Sequence, residues 1–186
     1  MYPFGRMMKE MFLQRRALRI GLLDLHRSWH RCWPWDLDPW MELNNGRTLT
    51  LYDLGRVPSM LRTGLVDLLK KAGCGITVAG ATVRYRQRIR VFERVEMRTR
   101  VLGWDDRFFY MEQGIWSQGR CANHILLRLA AFRDKAGVGK PGGIIPPAEL
   151  LTYWGECTEV HAPKLPEWVE RWIESEAQRL WPPEIR

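Results

Sequence analysis

Residues Trp33–Arg56 read WPWDLDPWMELNNGRTLTLYDLGR. Two aspartates, three tryptophans and an Asn-Asn pair stand here just before an apolar pattern of helical period. Asn44 or Asn45 suits a helix N-cap, since a short amide side chain can accept from the first turn's N–H groups. The helix should then run through Thr48, Leu49, Tyr52 and Leu54. Gly55 and Pro58 should bend or interrupt it, because Pro58 has no N–H for the Leu54 carbonyl. Apolar residues resume at Met60, Leu61, Leu65, Leu68 and Leu69, and Lys70 and Lys71 suit the negative end of the helix dipole. Gly73 and Gly75 end it. A helix apolar on so much of its circumference needs a sheet around it.

Upstream, Leu25–Trp33 alternates, with Arg27, Trp29, Arg31 and Trp33 on one face and His26, Ser28, His30 and Cys32 on the other. That period of two predicts a strand ended by Pro34. The two histidines have no carboxylate beside them on the strand, so surface or interface histidines are expected rather than a metal site. Before it, Met8, Met11 and Phe12 fall at helical spacing with Lys9, Arg15 and Arg16 between, which predicts a short amphipathic helix to about Ala17. Its apolar face could pack on the domain or a second subunit, and its basic flank could touch anionic lipid.

Downstream the period changes to two. Val83, Tyr85, Gln87, Ile89 and Val91 alternate with Arg84, Arg86, Arg88 and Arg90, which predicts one strand over Thr77–Val91. A second strand spans Arg94–Gly103, followed by a turn at Trp104–Arg107 and a third strand over Phe108–Ser117. Gln118-Gly119 turns again, and Cys121–Arg133 is the last strand. Four consecutive strands with tight connections predict an antiparallel meander. Residues 136–143 are Gly/Pro/Lys-rich and read as a loop without the spacing of a phosphate-binding P-loop. Two terminal helices, Pro147–Tyr153 and Pro166–Leu180, complete an α+β chain with one central helix.

Composition narrows the function classes. The chain has 186 residues, 46% hydrophobic, which suits one domain, with a core over about residues 25–133 and extensions over 1–24 and 144–186. No apolar run approaches the roughly 20 residues of a bilayer span, and no secretory leader is evident. Cys32, Cys74, Cys121 and Cys157 form no C-x-x-C pair, so free thiols in a reducing cytoplasm are expected. The net charge of +8 suits nucleic acid, anionic lipid, an anionic small molecule such as a coenzyme A thioester, or solubility alone. No nucleic-acid-binding signature accompanies it. Ten tryptophans, several near turns, are expected to cover core edges.

Two segments together, WDLDPWMELNNGRTLTLYDLGR (residues 35–56) and VRYRQRIRVFERVEMRTRVLGWDDRFFYMEQ (residues 83–113), resemble the hotdog-fold acyl-CoA thioesterases of the 4-hydroxybenzoyl-CoA thioesterase type. The second segment looks most like the thioesterase superfamily member 6-like branch. The resemblance covers about Leu25–Phe132. It implies a hotdog fold, in which a long helix is wrapped by a curved antiparallel sheet. It also implies hydrolysis of a fatty or aromatic acyl-CoA without metal or organic cofactor, and a homodimer or higher homo-oligomer. Asp38 matches the aspartate that acts as nucleophile or general base, and Asp36 matches its partner in the Asp-x-Asp. Asn44 and Asn45 match the Asn-Asn pair, and Arg56 the helix arginine. Met41 and Glu42 depart from the family's glycine and histidine.

On this reading Asp38 and Glu42 are the candidate catalytic carboxylates. Glu42 could position water or raise the Asp38 pKa. The N–H groups of Asn45, Gly46 and Arg47, with Asn44 as cap, are the candidate oxyanion donors. Asp36 and Arg56 should support the site, Arg56 through Asp53 or Glu42. Arg84, Arg86, Arg88 and Arg90 could hold coenzyme A phosphates, meet an anionic membrane surface, or form the solvent face of a half-exposed sheet. A non-catalytic acyl-thioester binder and a basic peripheral protein on membrane or nucleic acid remain the alternatives.

Overall fold

The computed structural model describes residues 2–133, 143–154 and 162–184. In chain order the elements are α1 (Phe4–Arg15), β1 (His26–Arg31), α2 (Asn45–Arg62), α3 (Leu65–Ala72), β2 (Gly75–Tyr85), β3 (Arg94–Trp104), β4 (Phe109–Ser117), β5 (Arg120–Arg133), β6 (Gly143–Ile145), α4 (Pro147–Leu151) and α5 (Glu167–Gln178). One antiparallel sheet takes the order β1-β3-β4-β5-β2, with β6 paired to the end of β5. It curls around α2, as the hotdog expectation requires.

The core forms because α2 and β3 present matching apolar faces. Leu51, Tyr52, Leu54, Pro58 and Met60 of α2 are buried, as are Val95, Met97 and Val101 of β3. Gly55 is where the two come closest. A Cβ there would lie 2.5 Å from Met97 Sδ and 2.9 Å from Thr99 Oγ1. Gly55 is thus a contact residue and not a bend. Pro58 also stays inside α2. The break falls later, at Gly64, whose φ of 79° suits a residue without Cβ, and α3 departs from there.

The strand expected over Thr77–Val91 is shorter than its alternation implies. It ends at Tyr85. Arg86 and Gln87 both donate backbone N–H groups to the Ala122 carbonyl (2.8 and 3.0 Å), and the chain then leaves the sheet. Alternation persists because Ile89 still turns into the core while Arg88 and Arg90 face solvent. Periodicity records alternate burial, not a ladder partner. The arginines at 84, 86, 88 and 90 therefore do not form one strand face: only Arg84 lies on β2.

The segment after β2 also crosses the fold. β2 pairs with β5 (Ile76 opposite Ala131, Val83 opposite Ile125), and β3 pairs with β4 and β1. The four-strand meander is thus three strands, β3-β4-β5, with β2 on the far edge. Outside the curl, α5 sets Val169 against Tyr110 and Leu126, with Trp172 and Ile173 beside them. Trp104 is buried as expected of an edge-covering tryptophan, but Trp35, Trp40 and Trp181 are 66%, 77% and 88% exposed and cover little. Of the loop expected at residues 136–143, all but Gly143 lie outside the described residues, as does Cys157.

The face of β1 is opposite to the simplest reading of its histidines. His26, Ser28, His30 and Cys32 point inward beneath the helices, and Arg27, Trp29 and Arg31 point out. Arginine can never give up its charge to enter a core, whereas histidine can. His26 Nδ1 lies 3.2 Å from the Arg62 guanidinium, which places its own proton on Nε2, buried without an acceptor. His30 Nε2 lies 2.8 Å from Ser28 Oγ, and its Nδ1 is 3.9 Å from the buried Glu10. Burial, with Arg62 adding to it, pulls His26 down to about 4. Burial, aided by Arg6, Lys9 and His26, pulls His30 down to about 3.

Both histidines are neutral when folded and take up protons near 6.5 when unfolded. Their stabilisation is therefore complete above that value and is lost as pH falls toward 4 and 3. Glu10, raised by burial, acts in the opposite sense from its ordinary carboxylate range upward. The two histidines have the larger shifts, so the net loss is on the acid side, on the order of 3 kcal/mol for each by about pH 4. The urea midpoint should fall steadily between about pH 6.5 and about pH 4. A His26→Asn, His30→Asn double variant should show a flatter profile.

Candidate active site

The loop between β1 and α2 folds into a small hairpin. Leu37 pairs with Leu43, the Asp38 amide donates to the Glu42 carbonyl (2.8 Å), and the Met41 amide donates to the Asp38 carbonyl (3.0 Å). Met41 sits at φ 61°. That left-handed backbone suits the glycine the family resemblance places here, and methionine adopts it at some strain. The departure in sequence thus leaves the turn itself intact.

Asp38 Oδ1 accepts from the amides of Trp40 (2.9 Å) and Glu42 (3.3 Å). Its Oδ2 has no hydrogen-bond partner among the described residues. One oxygen shapes the turn, and the other remains available. Glu42 Oε2 lies 2.8 Å from Arg88 Nε, an ion pair at a half-exposed site.

Asp36 differs in kind. It is fully buried, with Arg6 Nη1 2.7 Å from Oδ2 and Arg47 Nε 2.7 Å from Oδ1. The Trp33 amide also donates to Oδ2 (3.1 Å), and the Asp36 carbonyl accepts from the Asn44 amide (2.9 Å). One carboxylate thereby ties α1, the hairpin and the first turn of α2 together.

At the start of α2, Asn44 is the N-cap, its Oδ1 accepting from the Arg47 amide at 2.9 Å. Arg47 is therefore not an oxyanion donor, since the cap already uses its N–H. The amides of Asn45 and Gly46 have no acceptor among the described residues, as the first N–H groups of a helix must unless something outside it accepts. Arg56 pairs with Asp53 one turn back, as expected, and its Nη1 is 3.4 Å from Gln113 Oε1. Burial pulls the Arg56 pKa down, and Asp53 opposes that.

A cleft of about 240 Å³ opens beside this helix start, lined by Glu42, Asn45, Thr48, Tyr85, Arg88 and Asn123 among others. Tyr85 Oη donates to the Asn45 carbonyl (3.0 Å) and braces the rim. Deeper, Tyr52 Oη donates to Asn123 Oδ1 (2.5 Å), and the Asn123 amide nitrogen has no protein acceptor among the described residues. Burial pushes the Tyr52 phenol well up, so it stays a donor. The structure thus brings together Glu42, Asn45, Arg86 and Arg88, while Asp38, Arg84 and Arg90 do not line this cleft. Arg90 instead pairs through its backbone with Glu42. Sequence reasoning missed Tyr85, Thr48 and Asn123.

A model of the Thioesterase-like superfamily matches residues 32–173, and the chain belongs to that superfamily. Among curated relatives, Protein THEM6 of Xenopus laevis is 42% identical over 80 residues, 43% of this chain and 39% of that protein. Protein THEM6 of Danio rerio is 29% identical over 139 residues, 74% of this chain and 63% of that one. The chain thus spans less than two thirds of the length of these relatives. Among solved structures, a probable thioesterase from Bartonella henselae has a TM-score of 0.56 at 17% identity, over 66% of this chain and 100% of that one. A thioesterase from Thermus thermophilus complexed with coenzyme A and Zn has a TM-score of 0.53 at 23% identity, over 70% and 92%. At such identities the structures share a fold. Among the described residues no three His, Cys, Asp or Glu side chains gather as a metal site, and no helix is long and apolar enough to cross a membrane.

Proposed function

We propose that this chain hydrolyses an acyl-CoA thioester to the free acid and coenzyme A. The observation that carries the reading is the start of α2, where the amides of Asn45 and Gly46 are unaccepted among the described residues, Asn45 lines the cleft beside Glu42, and Gly46 lines a second cleft with Asn44 and Arg47. Membership of the thioesterase-like superfamily supports it. The coenzyme A in the Thermus relative supports the choice of thioester.

In this mechanism the thioester oxygen accepts from the Asn45 and Gly46 amides, and the helix dipole favours the charge that develops there. Asp38 Oδ2 takes a proton from water as the water oxygen attacks the carbonyl carbon, or attacks directly to form an anhydride that water then opens. The C–S bond breaks, and the coenzyme A thiolate leaves and is protonated. Arg86 and Arg88, which line the cleft, bind the coenzyme A phosphates in this reading. No step calls for a metal or organic cofactor. A second assignment of the base has its own observation: Glu42, not Asp38, lines the cleft of the single chain.

The proposal includes a homodimer. β2 has β5 on one side and no strand on the other among the described residues, and Val78 and Tyr85 on it are exposed. A free edge of this length invites a second copy. Light scattering should give twice the chain mass, and a Thr77→Pro, Ala79→Pro variant should shift it toward one chain. The test of the activity is coenzyme A release from short, long and aromatic acyl-CoAs. Turnover on one class selects the substrate. Saturable binding of acyl-CoA with no release would instead make this a thioester-binding protein.

A further inference from the structure

Helix α1 is held to the domain on one side only. Met7 and Glu10 are buried, and Arg6 reaches Asp36. On the other side Phe4, Met8 and Phe12 are 69%, 64% and 61% exposed. At spacings of four they form one stripe along the helix. Leu13 of the same helix and Leu18 and Leu23 in the segment after it are exposed as well. A folded domain rarely leaves so many large apolar side chains together in water.

The charges around the stripe are of one sign. Glu10 is the only acid between residues 2 and 23, and it is buried. Lys9, Arg15 and Arg16 are exposed, and the Arg16 guanidinium lies 5.5 Å from the centre of the Phe12 ring. A second copy docked by a two-fold axis would set this cationic face against itself. A surface that is apolar inside and anionic at its edge matches both features.

We infer that α1 is an interfacial helix that seats the domain on an anionic lipid surface. Phe4, Met8 and Phe12 enter the boundary between headgroups and acyl chains, and Lys9, Arg15 and Arg16 meet the lipid phosphates and carboxylates. The helix is already folded against α2 and clamped through Arg6 to Asp36, so binding orders no new segment. This inference is independent of the reaction proposed above.

The test sediments the 186-residue chain with vesicles of phosphatidylcholine alone and with vesicles in which about a third of the lipid is phosphatidylserine. Binding to the anionic vesicles should exceed binding to the neutral ones about tenfold and should fall as salt is raised to about 0.5 M. A Phe4→Ser, Met8→Ser, Phe12→Ser variant should lose about tenfold in partition with its circular dichroism unchanged, because the three side chains touch little else. A Lys9→Glu, Arg16→Glu variant should lose the preference for phosphatidylserine. No binding to anionic vesicles, or undiminished binding by both variants, overturns the proposal. So does a fall in molecular mass when the stripe is replaced, which would make it a contact between copies.

Discussion

Replacing Asp36 by alanine is expected to lower the unfolding free energy by about 3–5 kcal/mol, the cost of leaving a buried ion partner uncompensated. The carboxylate is fully buried and shared by Arg6 and Arg47, whose side chains are only 19% and 14% exposed. Without it both guanidiniums keep their charge and lose their carboxylate, and the Trp33 amide loses its acceptor. The urea midpoint should drop by that amount at unchanged slope. Asp36→Asn should fall nearly as far, because an amide restores an acceptor but no charge. A drop under about 1 kcal/mol would mean that the two arginines find water or other acceptors.

Replacing Asp38 by asparagine should do the reverse, leaving stability nearly intact and removing turnover. Asparagine keeps an Oδ1 that can accept from Trp40 and Glu42, so the turn survives. It has no basic oxygen to offer water. A positioned general base contributes on the order of 10²–10⁴-fold, and kcat should fall within that range while KM changes little. Glu42→Gln is the companion measurement. If it alone abolishes turnover, the base is the glutamate that lines the cleft. If both variants turn over at the wild-type rate, neither carboxylate is the base and the mechanism proposed here fails.

Much of the candidate site was legible because its signals are local. Asn44 as cap and the pairing of Arg56 with Asp53 each involve residues within three positions of one another. The double clamp on Asp36 was not legible. Arg6 is 30 positions away, and nothing in its own neighbourhood distinguishes it from Arg15 or Arg16. Tyr85 and Asn123 reach the start of α2 from strands far along the chain, and their residue types occur as readily in any half-buried strand.

The sequence by itself determined where α2 begins, that a sheet of strands follows it, and which positions alternate along those strands. These follow from side-chain period, capping and turn chemistry, which act over a few residues. Only the tertiary structure decided that β2 crosses to pair with β5, that the arginine tract leaves the sheet after Tyr85, and that histidines rather than arginines of β1 face the core. A strand's alternation is the same whichever neighbour it joins. The choice rests on how α2 and the loops fill the curl of the sheet, a sum over contacts distant in sequence.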